Sequence, residues 1–144
     1  MRSDILNVNS QQTGNYKKKT LLVNADITLT EADSGKVMFL DAAAGTVAIT
    51  LPTASSGEDG IFYQFIVWEE TPSNAITIAA GSAIVSMVMK DAGGNASNST
   101  AGTQVSNIVI GTSAQRGDYI NMTFFNGEWT ADCMSSIDDA VTTS

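Results

Sequence analysis

From Thr20 onward the chain alternates hydrophobic and polar positions in short runs of period two, the pattern of half-buried β-strands. In TVAITL, Val47, Ile49 and Leu51 point one way and Thr46, Ala48 and Thr50 the other. AITIAA sets Ile76 and Ile78 on one face, and DITLT does the same with Ile27 and Leu29. Such strands cover a core on one side and meet water on the other. Two runs break the alternation. KVMFL and IFYQFIVW are apolar on both faces, as expected of a central strand or of one facing a second subunit.

Turn residues punctuate these runs at close intervals. Pro52 lacks a ladder donor and ends a strand, and Gly57 with Asp59-Gly60 gives the backbone freedom to reverse, so TVAITL and IFYQFIVW read as a strand pair joined by a turn. Asn126-Gly127 in FFNGEW predicts a two-residue type I′ hairpin, because both central positions there need positive φ. Helical signal is confined to one turn over residues 31–35, and SSIDDAVTTS reads as a fraying tail. DAGGNASNSTAG, residues 91–102, has no side chain heavier than Asn or Asp and predicts a long exposed loop. Many short strands with frequent turns define an all-β chain, an antiparallel β-sandwich or small β-barrel, with a body over 20–134 and a tail over 135–144.

Residues 1–19 depart from that pattern. The first 15 are rich in Asn, Ser and Gln, and Ile5, Leu6 and Val8 are too few apolar anchors to offset the entropy of ordering unless another surface supplies the rest. Charge separates at the same boundary. Arg2, Lys17, Lys18 and Lys19 stand against Asp4 alone, a net of +3, whereas the rest sets three cations against fourteen carboxylates, a net of −11. A basic N-terminal arm thus precedes an acidic body, the asymmetry of an interaction tail. Its candidate contact residues are Ile5, Leu6, Tyr16, Lys17, Lys18 and Lys19.

Composition removes most catalytic schemes. There is no histidine, the side chain best suited to proton transfer near neutral pH and the commonest metal ligand. The single cysteine, Cys133, allows no intrachain disulfide and no Cys-rich metal site, and is expected to be a small buried apolar residue. Glu58-Asp59, Glu69-Glu70 and Asp138-Asp139 are adjacent pairs that face opposite ways on a strand and read as solvated turn carboxylates. EADSGKV lacks the first glycine and the hydroxyl of a phosphate-cradling loop. The Asn-x-Ser/Thr triplets at Asn95, Asn98 and Asn121 are expected by chance in so polar a chain, and Arg116-Gly117-Asp118 reads as a β-turn before YINMTFF.

The expectation is therefore of a non-enzymatic protein without cofactor or metal. A net charge of −8 opposes nucleic-acid binding. Neither a signal-peptide core nor a run of about 18 apolar residues occurs, so cytoplasmic synthesis and no membrane association are expected.

The order of elements carries a resemblance. LTEADSGKVMFLDAAAGTVAITLPTASSGEDGIFYQFIVWEE, then AITIAAGSAIVS, then RGDYINMTFFNGEWTAD, together spanning about residues 29–132, resemble a module of tailed-bacteriophage virion proteins. In that module a Leu-Thr…Ser-Gly opening precedes an Ile-Thr-Leu-Pro…Gly strand and turn, a hydrophobic strand, and a closing Asn-Gly-x-Trp hairpin. Similar modules occur in small head decoration (cement) proteins and in tail or head fibres. A chain of this length, with neither shaft repeats nor coiled-coil segments, looks more like a decoration protein. The resemblance implies a homotrimer at the capsid surface of the virion that binds the major capsid protein and stabilises its contacts. The alternative is a fibre domain that binds a host receptor or glycan, with Trp68, Trp129 and the long loop as a sugar platform.

Overall fold

The computed structural model describes residues 17–53, 59–81, 84–91, 96–98 and 105–144. Among these residues, numbered in chain order, twelve strands form two sheets. The larger has the spatial order β1 (Thr20–Val23), β3 (Val37–Leu40), β5 (Phe62–Val67), β10 (Tyr119–Phe125), β11 (Glu128–Met134), β7 (Ile84–Lys90) and β8 (Ala96–Asn98). The smaller has the order β12 (Val141–Thr143), β9 (Asn107–Ile110), β6 (Ile76–Ala79), β4 (Val47–Thr50) and β2 (Ile27–Thr28). The fold is an all-β sandwich, as the alternation predicts.

The pairing differs from the antiparallel expectation: both sheets are mixed. β1 with β3 and β3 with β5 are parallel in the larger sheet, as are β2 with β4 and β4 with β6 in the smaller. The cause is the path of the chain. From β1 to β6 each strand lies in the opposite sheet from the one before, so every return to a sheet runs in the same direction as the previous visit. β4 and β5 are accordingly not a hairpin. The connection that begins at Pro52 and ends at Gly60 crosses between sheets.

Alternation then builds the core. Met38, Leu40, Phe65, Val67, Ile120 and Phe124 point inward from the larger sheet, to meet Ile49, Ile76, Ile78, Ile108 and Ile110 of the smaller. Trp129 is fully buried at one end of this layer, stacked on Tyr63 at 5.6 Å and edge-on to Phe124 at 5.2 Å. The Tyr63 hydroxyl donates to the Thr30 carbonyl at 2.8 Å, which ties the aromatic cluster to the start of the 3₁₀ turn Glu31–Asp33.

The Asn126-Gly127 hairpin forms as predicted, with φ of 51° and 86° and Phe125 opposite Glu128. Asp59 supports it from across the sheet, accepting the Asn126 N–H at 2.7 Å. The expected tail over 135–144 is instead part of the sandwich. Val141 pairs with Ile110, and Ala140 and Val141 are buried, because the smaller sheet needs β12 to cover β9. Of the expected loop over 91–102, the described part includes β8, paired antiparallel with β7.

Candidate functional site

Three features on the larger sheet are chemically distinctive. The first is its outer face. Because side chains alternate across a strand, the residues between the inward ones project away from the core, and the register aligns them across strands. Leu22 lies opposite Phe39, Phe39 opposite Ile66, Ile66 opposite Tyr119, and Tyr119 opposite Met134. The result is an apolar row across five neighbouring strands. Leu22 is 52% and Met134 45% exposed, and Phe39, Ile66 and Tyr119 are half-buried. Trp68, 49% exposed just past β5, packs edge-on against Phe39 at 5.5 Å and extends the row.

The next row on the same face is polar. Gln64, Asn121 and Asp132 lie opposite one another, with Asn121 donating to Asp132 at 3.0 Å. The outer face of the smaller sheet carries Thr28, Ala48, Thr50, Thr77 and Thr142, with the half-buried Val109 between the last two. The larger sheet thus presents an apolar row on its outer face, and the smaller sheet a mainly threonine surface.

The second feature is a cleft of about 470 Å3 at the far end of the apolar row, lined by Lys90, Asp91, Arg116, Tyr119, Met134 and Ser136 among others. The Arg116 guanidinium lies 5.2 Å from the centroid of the Trp68 ring while its Nε donates to the Trp68 carbonyl at 2.7 Å, a cation–π contact with a backbone anchor. Below it, the buried Asp118 carboxylate accepts from the Gln115 N–H at 2.9 Å, the Ser136 N–H at 2.9 Å and the Ser136 hydroxyl at 2.8 Å. Arg116-Gly117-Asp118 is the turn the sequence predicts, with Gly117 at φ 97° and the Asp118 N–H donating to the Gln115 carbonyl. Its aspartate faces inward. Asp91 hydrogen-bonds Asp138, and this bond, with the charges of Asp91 and Asp139, raises the Asp138 carboxyl above its ordinary value.

The third feature is basic. Lys17, Lys18 and Lys19 are exposed where the chain enters β1, and Lys18 Nζ reaches Gln64 Oε1 at 3.5 Å. Lys17 and Lys19 join Ala32, Ser34, Gly35 and Lys36 around a second cleft of about 240 Å3. Lys36 pairs with Asp33 at 2.6 Å; that bond and the Thr30 N–H hold the Asp33 carboxyl below its ordinary value. Of the residues expected at the contact site, Lys17, Lys18 and Lys19 are therefore clustered, whereas Ile5, Leu6 and Tyr16 lie outside the described residues.

Sequence reasoning missed Lys36 as a neighbour of Lys17 and Lys19, and missed Arg116 stacked on Trp68. Its one useful signal for the apolar row was that KVMFL and IFYQFIVW are apolar on both sides. The expected sugar platform is corrected by burial: Trp129 is fully enclosed, so Trp68 is the only one of the two tryptophans open to a ligand. Cys133 is buried, and burial with the nearby Asp118 and Asp132 charges pushes its thiol up to about 12. Among the described residues no group of three or more His, Cys, Asp or Glu is placed to hold a metal ion, and no helix is long and apolar enough to cross a membrane. Comparison with protein-family models and with curated proteins finds no match to this chain.

Proposed function

We propose that the protein is a structural, non-enzymatic component of a phage virion, a capsid decoration protein that binds the outer surface of the head and stabilises contacts between major capsid proteins. The observation that carries this reading is a sandwich with two surfaces suited to assembly, an apolar row from Leu22 to Met134 across the larger sheet and the basic cluster of Lys17, Lys18, Lys19 and Lys36 beside it. Apolar and aromatic side chains at the centre of a patch with a polar rim are the chemistry of protein–protein contact. The resemblance of residues 29–132 to virion surface modules supplies the setting, and implies a homotrimer.

In this reading the basic cluster of Lys17, Lys18, Lys19 and Lys36 is the root of the capsid-docking arm, and Ile5, Leu6 and Tyr16 make the apolar contacts beyond it. Such contacts, weak singly, hold firmly when a trimer docks as a unit. Cryo-EM of virions carrying the chain tests the proposal. Density repeated over the head lattice is expected. Density confined to the tail or a unique vertex would overturn it in favour of a fibre domain, for which the half-exposed Trp68 stacked with Arg116 beside the larger cleft would be the glycan contact. Deleting residues 1–19 is expected to abolish head binding, and unchanged binding would remove the arm from the account.

A further inference from the structure

We infer that copies of this chain meet through the outer face of the seven-stranded sheet, so that the occupant of its apolar row is a second copy of the same protein. The inference deepens the proposed trimer and rests on that reading only for the number of copies.

Size comes first. From β1 to β7 the face is six strands wide, and with strands about 4.8 Å apart and residues about 3.3 Å along each, a height of five residues gives roughly 24 by 17 Å. That is about half, in flat projection, of the roughly 800 Å2 per partner in a standard interface, before side-chain relief and the flanking segments at Trp68 and Arg116 add to it. A face of this extent suits the centre of a contact between proteins and exceeds what a small ligand covers.

Chemistry then separates a second copy from other partners. Permanent contacts between identical subunits are more apolar than contacts made by docking onto a preformed surface. The outer face of the larger sheet carries the row Leu22, Phe39, Ile66, Tyr119 and Met134 with Trp68 beside it and a polar row below, whereas that of the smaller has no aromatic or long apolar side chain among Thr28, Ala48, Thr50, Thr77, Val109 and Thr142. Two faces of such different character suit two tasks, and the apolar one suits the permanent contact.

Charge points the same way. Two molecules of net −8 repel unless their contact faces are locally neutral or complementary. The row itself is uncharged from Leu22 to Met134. In the next row of the same face Lys18, just before β1, reaches Gln64 on one side, and Asp132 stands on β11 on the other. Reversing one copy against another, or passing it head to tail around a ring, sets Lys18 of one copy towards Asp132 of the next. Either arrangement closes.

The test uses the full chain in solution, away from any capsid. Sedimentation velocity at micromolar concentration is expected to give an oligomer for the wild-type protein, monomers for Leu22→Glu and Met134→Glu, and the wild-type mass for Thr50→Glu on the other face. A monomeric wild type, row variants that keep the wild-type mass, or dissociation by Thr50→Glu as complete as by the row variants would each overturn the inference. A second measurement needs no variant. Trp68 borders the row and Trp129 is enclosed, so diluting the wild-type protein through its dissociation range is expected to shift tryptophan emission to the red as the mass falls. Constant emission across that range would place the contact elsewhere. Head binding is a separate readout: a wild-type oligomer that does not bind heads would defeat the decoration reading and leave this interface standing.

Discussion

The buried Asp118 carboxylate ties two segments of the chain together, and Asp118→Ala tests its role directly. The buried carboxylate receives three short hydrogen bonds, from the Gln115 N–H and from the Ser136 N–H and hydroxyl, with the Ser135 hydroxyl a longer fourth at 3.4 Å. It thereby ties the turn before β10 to the segment that leads from β11 into β12. Hydrogen bonds to a charged group contribute about 1.5–3 kcal/mol each, but they share one acceptor and border a cleft that water can enter, so their losses do not add. A net loss of about 3 kcal/mol is expected. At about 3 °C per kcal/mol for a domain of this size, the melting temperature falls by about 9 °C. Asp118→Asn keeps one acceptor oxygen and is expected to lose about half as much. Urea unfolding followed by circular dichroism gives both values. Arg116 sits in the same turn and stacks on Trp68, so emission from Trp68 should also shift red in the folded Asp118→Ala protein. A loss below about 1 kcal/mol with unchanged Trp68 emission would refute the view that this carboxylate organises the turn.

Other expectations concern single positions. Gly127→Ala places a Cβ at φ 86° and is expected to cost about 1–2 kcal/mol in urea unfolding, with no change in the larger sheet's other pairings. Cys133, buried and with its thiol pushed up to about 12, should not react with a thiol reagent at pH 8 until denaturant is added. Asp138 titrates above the ordinary 3.8 because it hydrogen-bonds Asp91 and faces the charges of Asp91 and Asp139. Its favourable contribution is therefore complete in acid and lost as pH rises through its folded value. Asp138→Asn should raise the melting temperature at pH 7, and the gain should vanish below pH 3.8; a gain that persists in acid would assign it to something other than carboxylate repulsion. Acrylamide should quench emission from Trp68 and barely touch Trp129, so Trp68→Phe is expected to leave a blue, protected spectrum.

Much of the local structure was legible in the chain because it depends on neighbours in sequence. Alternation at Val47, Ile49, Ile76 and Ile78 marked which side chains are buried, Asn126-Gly127 specified a turn with positive φ, and the turn at Arg116-Gly117-Asp118 was marked by its glycine. The doubly apolar runs marked β3 and β5 as interior strands of a sheet, which they are. The 135–144 segment was misjudged because SSIDDAVTTS holds few apolar residues, and the burial of Ala140 and Val141 comes from β9, a partner about thirty positions away.

What the sequence by itself determined is the all-β character, the inward set on most strands, the places where the chain turns and the basic start before an acidic body. Each depends on the period of two, on residue-specific backbone freedom or on a count of charges. Only the tertiary structure decided that successive strands change sheets, since a strand reads the same whether its neighbour lies beside it or across the core. Parallel pairing follows from that path. Register then decided the rest: it set Leu22, Phe39, Ile66, Tyr119 and Met134, drawn from five separate strands, in one row, and brought Lys36 to Lys17 and Lys19 and Arg116 onto Trp68. A surface assembled across strands has no footprint along any one of them.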